Sequence, residues 1–245
     1  MAESTRSGQR WDLLDTLRGI TLLSMILYHA CWDLVWIWNY DWGWYRSQGA
    51  FFWQQSICWT FLLLSGFCFS LGRRPVRRGI IIFFWGGVIM AVTALAIPDN
   101  PVFFGVLSLL GSAALLTAAA CPLLRRIPAP VGLAGSFALF VLTRNLSGGT
   151  AVFGLIRLPS WLYRNPFTAC LGFPPAGFVS SDYFPLLPWL FLYWTGYFLF
   201  SLRPWRFPSC RVPVLTAMGR RSLLIYLLHQ PVLYALLWVW STWHR

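Results

Sequence analysis

RWDLLDTLRGITLLSMILYHACWDLVWIW, residues 10–38, is long and apolar enough to cross a bilayer, yet it carries Asp12, Asp15, Arg18, His29 and Asp33. Ionisable groups inside a spanning helix are costly unless they pair or face a polar cavity, so they mark function by default. At about 100° per residue, with Asp15 at zero, Arg18 falls near 300°, His29 near 320° and Asp33 back at zero. Leu22, Met25 and Ile26 lie on the same side, so the polar residues share one stripe. Asp15 and Arg18 are spaced to pair (i, i+3), and His29 and Asp33 (i, i+4) are spaced to touch. The two pairs stand roughly 21 Å apart along the helix at 1.5 Å per residue. A blander reading stays open at each end. Asp12, Asp15 and Arg18 could mark only the point of membrane entry, with the Arg18 head reaching to the headgroups. His29 could serve as a polar contact to a neighbouring helix.

Hydrophobic residues make up 58% of the 245-residue chain and 16 are tryptophan, with a mean hydropathy of +0.60. Such a composition excludes an ordinary soluble domain and indicates an integral membrane protein. All 19 basic residues are arginine against seven acids, a net charge of +12. In a soluble chain that charge would suggest nucleic acid; here the arginines sit in short segments between apolar runs, so no nucleic-acid partner is expected. The six cysteines are scattered through apolar segments without CxxC or Cys/His spacing, and neither a disulfide nor a metal is expected. The first apolar run is too long and too charged for a cleaved signal peptide.

Taken in order, the pattern predicts an all-α, polytopic fold of about seven transmembrane helices in a single domain, 1–245. They are expected at about 12–38, 50–72, 79–97, 102–122, 128–143, 184–202 and 214–242, the last bent at Pro231. Trp32, Trp36, Trp38, Trp42 and Trp44 form an aromatic cluster suited to a headgroup boundary. Gln54, Gln55 and Ser56 open the second helix and must face protein or water. Residues 144–183 are one long, Pro- and aromatic-rich connection, expected to fold over the outer mouth with 151–158 as a short re-entrant piece. With the N-terminus inside, the cytoplasmic segments hold thirteen arginines (6, 10, 73, 74, 77, 78, 125, 126, 203, 206, 211, 220, 221) and the outer ones five (46, 144, 157, 164, 245). That bias puts the N-terminus in and the C-terminus out. Asp15 and Arg18 then lie toward the cytoplasm, with His29 and Asp33 in the outer half.

Five segments are similar to one known family: RWDLLDTLRGITLLSMILYH (10–29), FLLLSGFCFSLGRRPVRRG (61–79), FFGVLSLLG (103–111), SDYFPLLPW (181–189) and GRRSLLIYLLHQPV (219–232). In this order they resemble the bacterial branch of the heparan-α-glucosaminide N-acetyltransferase catalytic-domain family, which are multispanning membrane acyltransferases. The resemblance implies transfer of an acyl group, in that family acetyl, from acetyl-CoA. It also implies a role in the transfer for a first-helix histidine, the position matched by His29. The family often carries a histidine in its fourth-helix motif, where this sequence has Ser108.

The residues read on their own are compatible with that chemistry. Coenzyme A is cytoplasmic, so transfer outward needs a donor site inside, an acceptor site outside and a basic or nucleophilic group between them. Imidazole can act as general base or transient acyl carrier. Asp33 could orient His29 by accepting its second N–H. Asp15, Arg18, Gln55, Asp182 and His229 are candidate supporting or substrate-binding groups. Asp182 is the right group for sugar hydroxyls or an amine, and equally for capping the sixth helix. His229 is expected to approach the stripe of helix one, because an imidazole in hydrocarbon lacks partners for both nitrogens. Acyl-CoA as donor substrate, a glycan or small-molecule acceptor, the bilayer of the inner membrane and a homodimer are the compatible partners. The alternative is a small proton-coupled transporter that uses Asp15, Arg18, His29 and Asp33 as a relay, although no repeated pair of broken helices is present. The orientation is directly testable: a topology reporter fused after His244 is expected to be active outside the cytoplasm, and cytoplasmic activity would refute the orientation.

Overall fold

The computed structural model describes residues 11–202, 204–205 and 211–243. Of the arginines counted for orientation, Arg6, Arg10, Arg203, Arg206 and Arg245 lie outside those residues, as does Cys210. The described chain is all-α in character: α1 (Asp12–Trp36), α2 (Gln48–Phe67), α3 (Pro75–Ala96), α4 (Val106–Leu124), α5 (Ala129–Leu142), α6 (Leu186–Ser201), α7 (Pro213–Arg220) and α8 (Ser222–Trp243). By length and hydropathy five helices can span a bilayer: α1, α3, α4, α5 with its extension to Gly148, and α8. Large apolar side chains such as Phe84, Leu95, Leu224 and Trp238 stand exposed on α3 and α8. In a membrane such faces are covered by lipid.

Several boundaries differ from expectation for local reasons. Pro75 at the first helical position starts α3 inside the RRPVRR run, where its missing N–H costs nothing. The expected helix 214–242 is two helices meeting at Arg221. Pro213 opens α7, and Arg221 leaves helical geometry while its N–H bonds Met218 O at 3.0 Å. Gly219 and two arginines at this point favour a stop at the water boundary over an uninterrupted span. α8 then runs through Pro231 without ending.

The chain forms two compact units, Met1–Phe61 with Arg206–Arg245, and Leu62–Trp205, and α2 runs from the first into the second. In the first, Leu22, Met25 and Ile57 are buried among Ile26, Trp53, Met218, Ile225 and Tyr226, so α1 is packed by α2, α7 and α8. In the second, α3 packs on α4 and α5 on α6 through small residues. A Cβ at Gly111 would lie 2.5 Å from Phe83 N, and one at Gly86 would lie 2.6 Å from Ser108 Oγ. Ser108 therefore sits in the α3–α4 seam. Trp194 Nε1 donates to Thr117 Oγ1 at 3.0 Å, and Ser136 and Thr195 are joined at 3.1 Å.

The long connection after α5 is ordered by its own turns. Residues 151–158 form a small hairpin, in which Thr150–Ala151 pairs antiparallel with Ile156–Arg157. Gly149 and Gly154 take positive φ there, which breaks any helical run. Ser180 Oγ bonds both the N–H and the carbonyl of Phe103 at 2.9 Å, tying the end of the connection to the entry of α4. The Tyr183 hydroxyl donates to Ala169 O at 2.6 Å, and burial pushes its pKa up to about 12.

The closest helix approach in the first unit is α1 on α7. A Cβ at Gly19 would fall 2.0 Å from Leu215 O, and one at Gly219 would fall 1.8 Å from Asp15 O. Gly219→Ala is therefore expected to force the helices apart and to cost on the order of 2 kcal/mol. Gly43→Ala, with nothing within 4 Å, is the control. Thermal unfolding in detergent reads both, and equal midpoints would disprove the close crossing.

Candidate functional site

The stripe on α1 meets α7 and α8 along its length. At its first turn Arg18 Nη1 donates to Asp15 Oδ1 at 2.9 Å, the pair that the i, i+3 spacing suggests. Arg220, the last residue of α7, joins them: its Nη2 lies 2.6 Å from Asp12 Oδ1 and its Nε 3.4 Å from Asp15 Oδ2. Two carboxylates and two guanidinium groups thus form one network, with Asp15 shared by both arginines. In the same stretch, the buried hydroxyls of Thr16 and Thr216 are 2.8 Å apart. The crossing can be this close because each helix offers a glycine at the contact.

Past the apolar layer of Leu22 and Met25, the rings of His29 and His229 stand 5.0 Å apart, centroid to centroid, with their planes inclined by 59°. Both side chains are half-buried. Tyr226 lies 5.3 Å from the His229 ring and Tyr28 6.1 Å from the His29 ring. His229 Nδ1 is 2.5 Å from Tyr226 O. A carbonyl oxygen only accepts, so Nδ1 carries the proton and Nε2 is the nitrogen whose protonation can change.

Asp33 departs from expectation. Its side chain is fully buried, and among the described residues its Oδ1 accepts from Gln230 Nε2 at 2.6 Å rather than from His29. The i, i+4 spacing places both groups on one face of α1. The neighbours on α8 then separate them, His229 drawing His29 and Gln230 drawing Asp33. Beyond the helix end Tyr45 donates to Tyr28 O at 3.3 Å, and burial raises its pKa, so it remains a donor.

Gln55 bonds along its own helix, donating to Gln54 Oε1 at 2.9 Å and accepting from Trp59 Nε1 at 3.3 Å. Asp182, in the second unit, accepts from Val106 N at 3.2 Å. It caps the start of α4, which lies far from it in sequence. Arg220 and Gln230 are the residues that sequence reasoning missed. Each faces a partner on α1 about 200 positions away, which no local spacing reveals. Among the described residues, no group of three or more His, Cys, Asp or Glu side chains is placed to hold a metal ion.

A family model described as heparan-alpha-glucosaminide N-acetyltransferase, catalytic, matches residues 10–231. The chain belongs to that family. No curated protein and no solved structure matches it. The matched segment begins two residues before α1 and ends just past Gln230, so it takes in every pair on the stripe. Membership of the heparan-alpha-glucosaminide N-acetyltransferase catalytic family, with its span-capable helices, makes this a multi-pass membrane acetyltransferase.

The charge network generates its own test. Asp15 serves two arginines and is more buried than Asp12. Asp15→Asn is expected to cost on the order of 2 kcal/mol and Asp12→Asn less, since partial exposure screens the outer pair. Thermal unfolding at low and high salt measures both; an Asp12 effect as large as that of Asp15 would refute the shared arrangement.

Proposed function

We propose that this protein moves an acetyl group from cytoplasmic acetyl-CoA to a sugar or amino-sugar acceptor on the far side of the inner membrane, through His29. The observation that carries this reading is the juxtaposition of His29 and His229, roughly 21 Å along α1 from the arginine-rich end where a cytoplasmic donor would enter. Two imidazoles in contact can take up and return one proton without exposing a fixed charge to the bilayer.

Two routes use the pair. In direct transfer, the acceptor amine or hydroxyl attacks the thioester carbonyl as His29 takes its proton. The C–S bond breaks, and the proton returns to the departing thiolate. In the carrier route, a ring nitrogen of His29 attacks the thioester, coenzyme A leaves as the thiol, and the acceptor then attacks the acyl-imidazole. His229, with Nδ1–H held by Tyr226 O, offers only Nε2 to either route. The Asp12–Asp15–Arg18–Arg220 network holds α7 and the start of α1 together beneath the pair. Arginines at the cytoplasmic ends of the helices suit the phosphates of coenzyme A. The transporter alternative would need Asp15 and Arg18 as proton carriers, yet both are engaged in ion pairs.

His29→Ala is expected to leave the protein folded while acetyl transfer from labelled acetyl-CoA falls about a hundredfold or more. Near-normal transfer at unchanged expression would rule out His29. Rapid quenching of wild type then separates the routes, since acid-labile label on the protein appears only in the carrier route.

A further inference from the structure

Gln230 Nε2 donates to Asp33 Oδ1 at 2.6 Å, and the other oxygen of each group is stranded. Asp33 Oδ2 and Gln230 Oε1 are both buried, with no hydrogen-bond partner among the described residues. If Asp33 were ionised, both would be acceptors in a place with nothing to accept from, and the carboxylate would be an uncompensated charge inside a span. One proton removes all three difficulties at once. Placed on Oδ2, it neutralises the acid and gives Gln230 Oε1 its donor.

We propose that Asp33 is held as the neutral carboxylic acid and forms a two-bond ring with the Gln230 amide, Nε2–H to Oδ1 and Oδ2–H to Oε1. The titratable groups around it are His29 and Cys31 on α1, Tyr45 beyond the helix end and His229 on α8. Among the described residues no arginine is paired with Asp33. A planar acid–amide ring fixes both the rotation and the height of α8 against α1. Because Gln230 directly follows His229, it also fixes the histidine pair. Gln230 is thus a positioning residue, and Asp33 is neither the carboxylate that orients His29 nor a competitor for its proton. The charge state stands independently of acyl transfer; the positioning role rests on the function proposed above.

The experiment uses the full chain in lipid nanodiscs. The infrared difference between wild type and Asp33→Asn at neutral pH is expected to show the carbonyl stretch of a protonated carboxyl group. Loss of ionised-carboxylate bands alone would overturn the proposal. Thermal unfolding decides the case if neither signal is resolved. Asparagine reproduces the neutral acid atom for atom, donor and acceptor, so Asp33→Asn should unfold near wild type and Asp33→Leu well below it. An asparagine variant as unstable as the leucine one would also overturn it. For positioning, Gln230→Leu should lower kcat about tenfold with KM for acetyl-CoA unchanged, and Gln230→Glu, which can close the same ring with a neutral acid, should recover part of that loss. A loss confined to KM, or no loss, would remove the positioning role. Should His29→Ala also transfer normally, the role of His29 fails while the infrared result still decides the charge state.

Discussion

A charged or polar side chain inside a bilayer has no water to fall back on, and α1 carries Asp15, Arg18, His29 and Asp33 along one face. That constraint organises the first unit. The stripe of α1 finds its counterparts on the C-terminal helices: Asp12 and Asp15 with Arg220, Thr16 with Thr216, His29 with His229, Asp33 with Gln230. Hydrophobic attraction cannot hold helices together in lipid, because lipid tails are as apolar as leucine. Polar pairs and close glycine contacts supply what is missing, and the first turns of α1 use both. The α1–α7 crossing is tight where Gly19 and Gly219 let backbone meet backbone. That tightness brings Arg220 into reach of two carboxylates.

The legible part of this fold was what lipid imposes on one helix at a time. Apolar length marked α1, α3, α4, α5 and α8, the five helices able to span, and a 3.6-residue period put Asp15, Arg18, His29 and Asp33 on one face. The i, i+3 ion pair could be read because both partners lie on one turn of one helix. The i, i+4 pair could not. Spacing says that His29 and Asp33 share a face, but competition from a second helix decides whether they touch. His229 and Gln230 are adjacent on α8, and each captures one of the two. The break at Arg221 was missed for a related reason. Residues 214–242 are apolar enough to read as one helix, and only the packing of α7 on α1 shows that its end belongs to the charge network. Asp182 is a third case, since the start of the helix it caps lies 76 residues earlier in the chain.

The order of contacts between α1 and α8 carries a topological consequence. Arg220, just before α8, meets the first turn of α1; His229 meets His29; Tyr234 lies 5.4 Å from Trp38; Trp240 lies 6.0 Å from Tyr40. Position rises along both helices together, so α1 and α8 run parallel. Two parallel spans begin on the same side of the membrane, and the chain between them must cross an odd number of times. The helices α3, α4 and α5 alone give three crossings, and adding α2 and α6 gives five. The pair α2 and α6 therefore crosses together or not at all. α6 is apolar but only 16 residues long, and α2 has the length but carries Gln54 and Gln55 in its first half. The two pack closely where Gly66 and Gly196 each face the other's backbone, at 1.9 Å from Tyr193 O and 2.2 Å from Leu63 O for an added Cβ. Contacts so close bind the end of α2 to α6, which is what joint crossing of these two helices requires. Either count leaves the N-terminal end of α1 and the C-terminal end of α8 on opposite faces, in agreement with the arginine bias and independent of it.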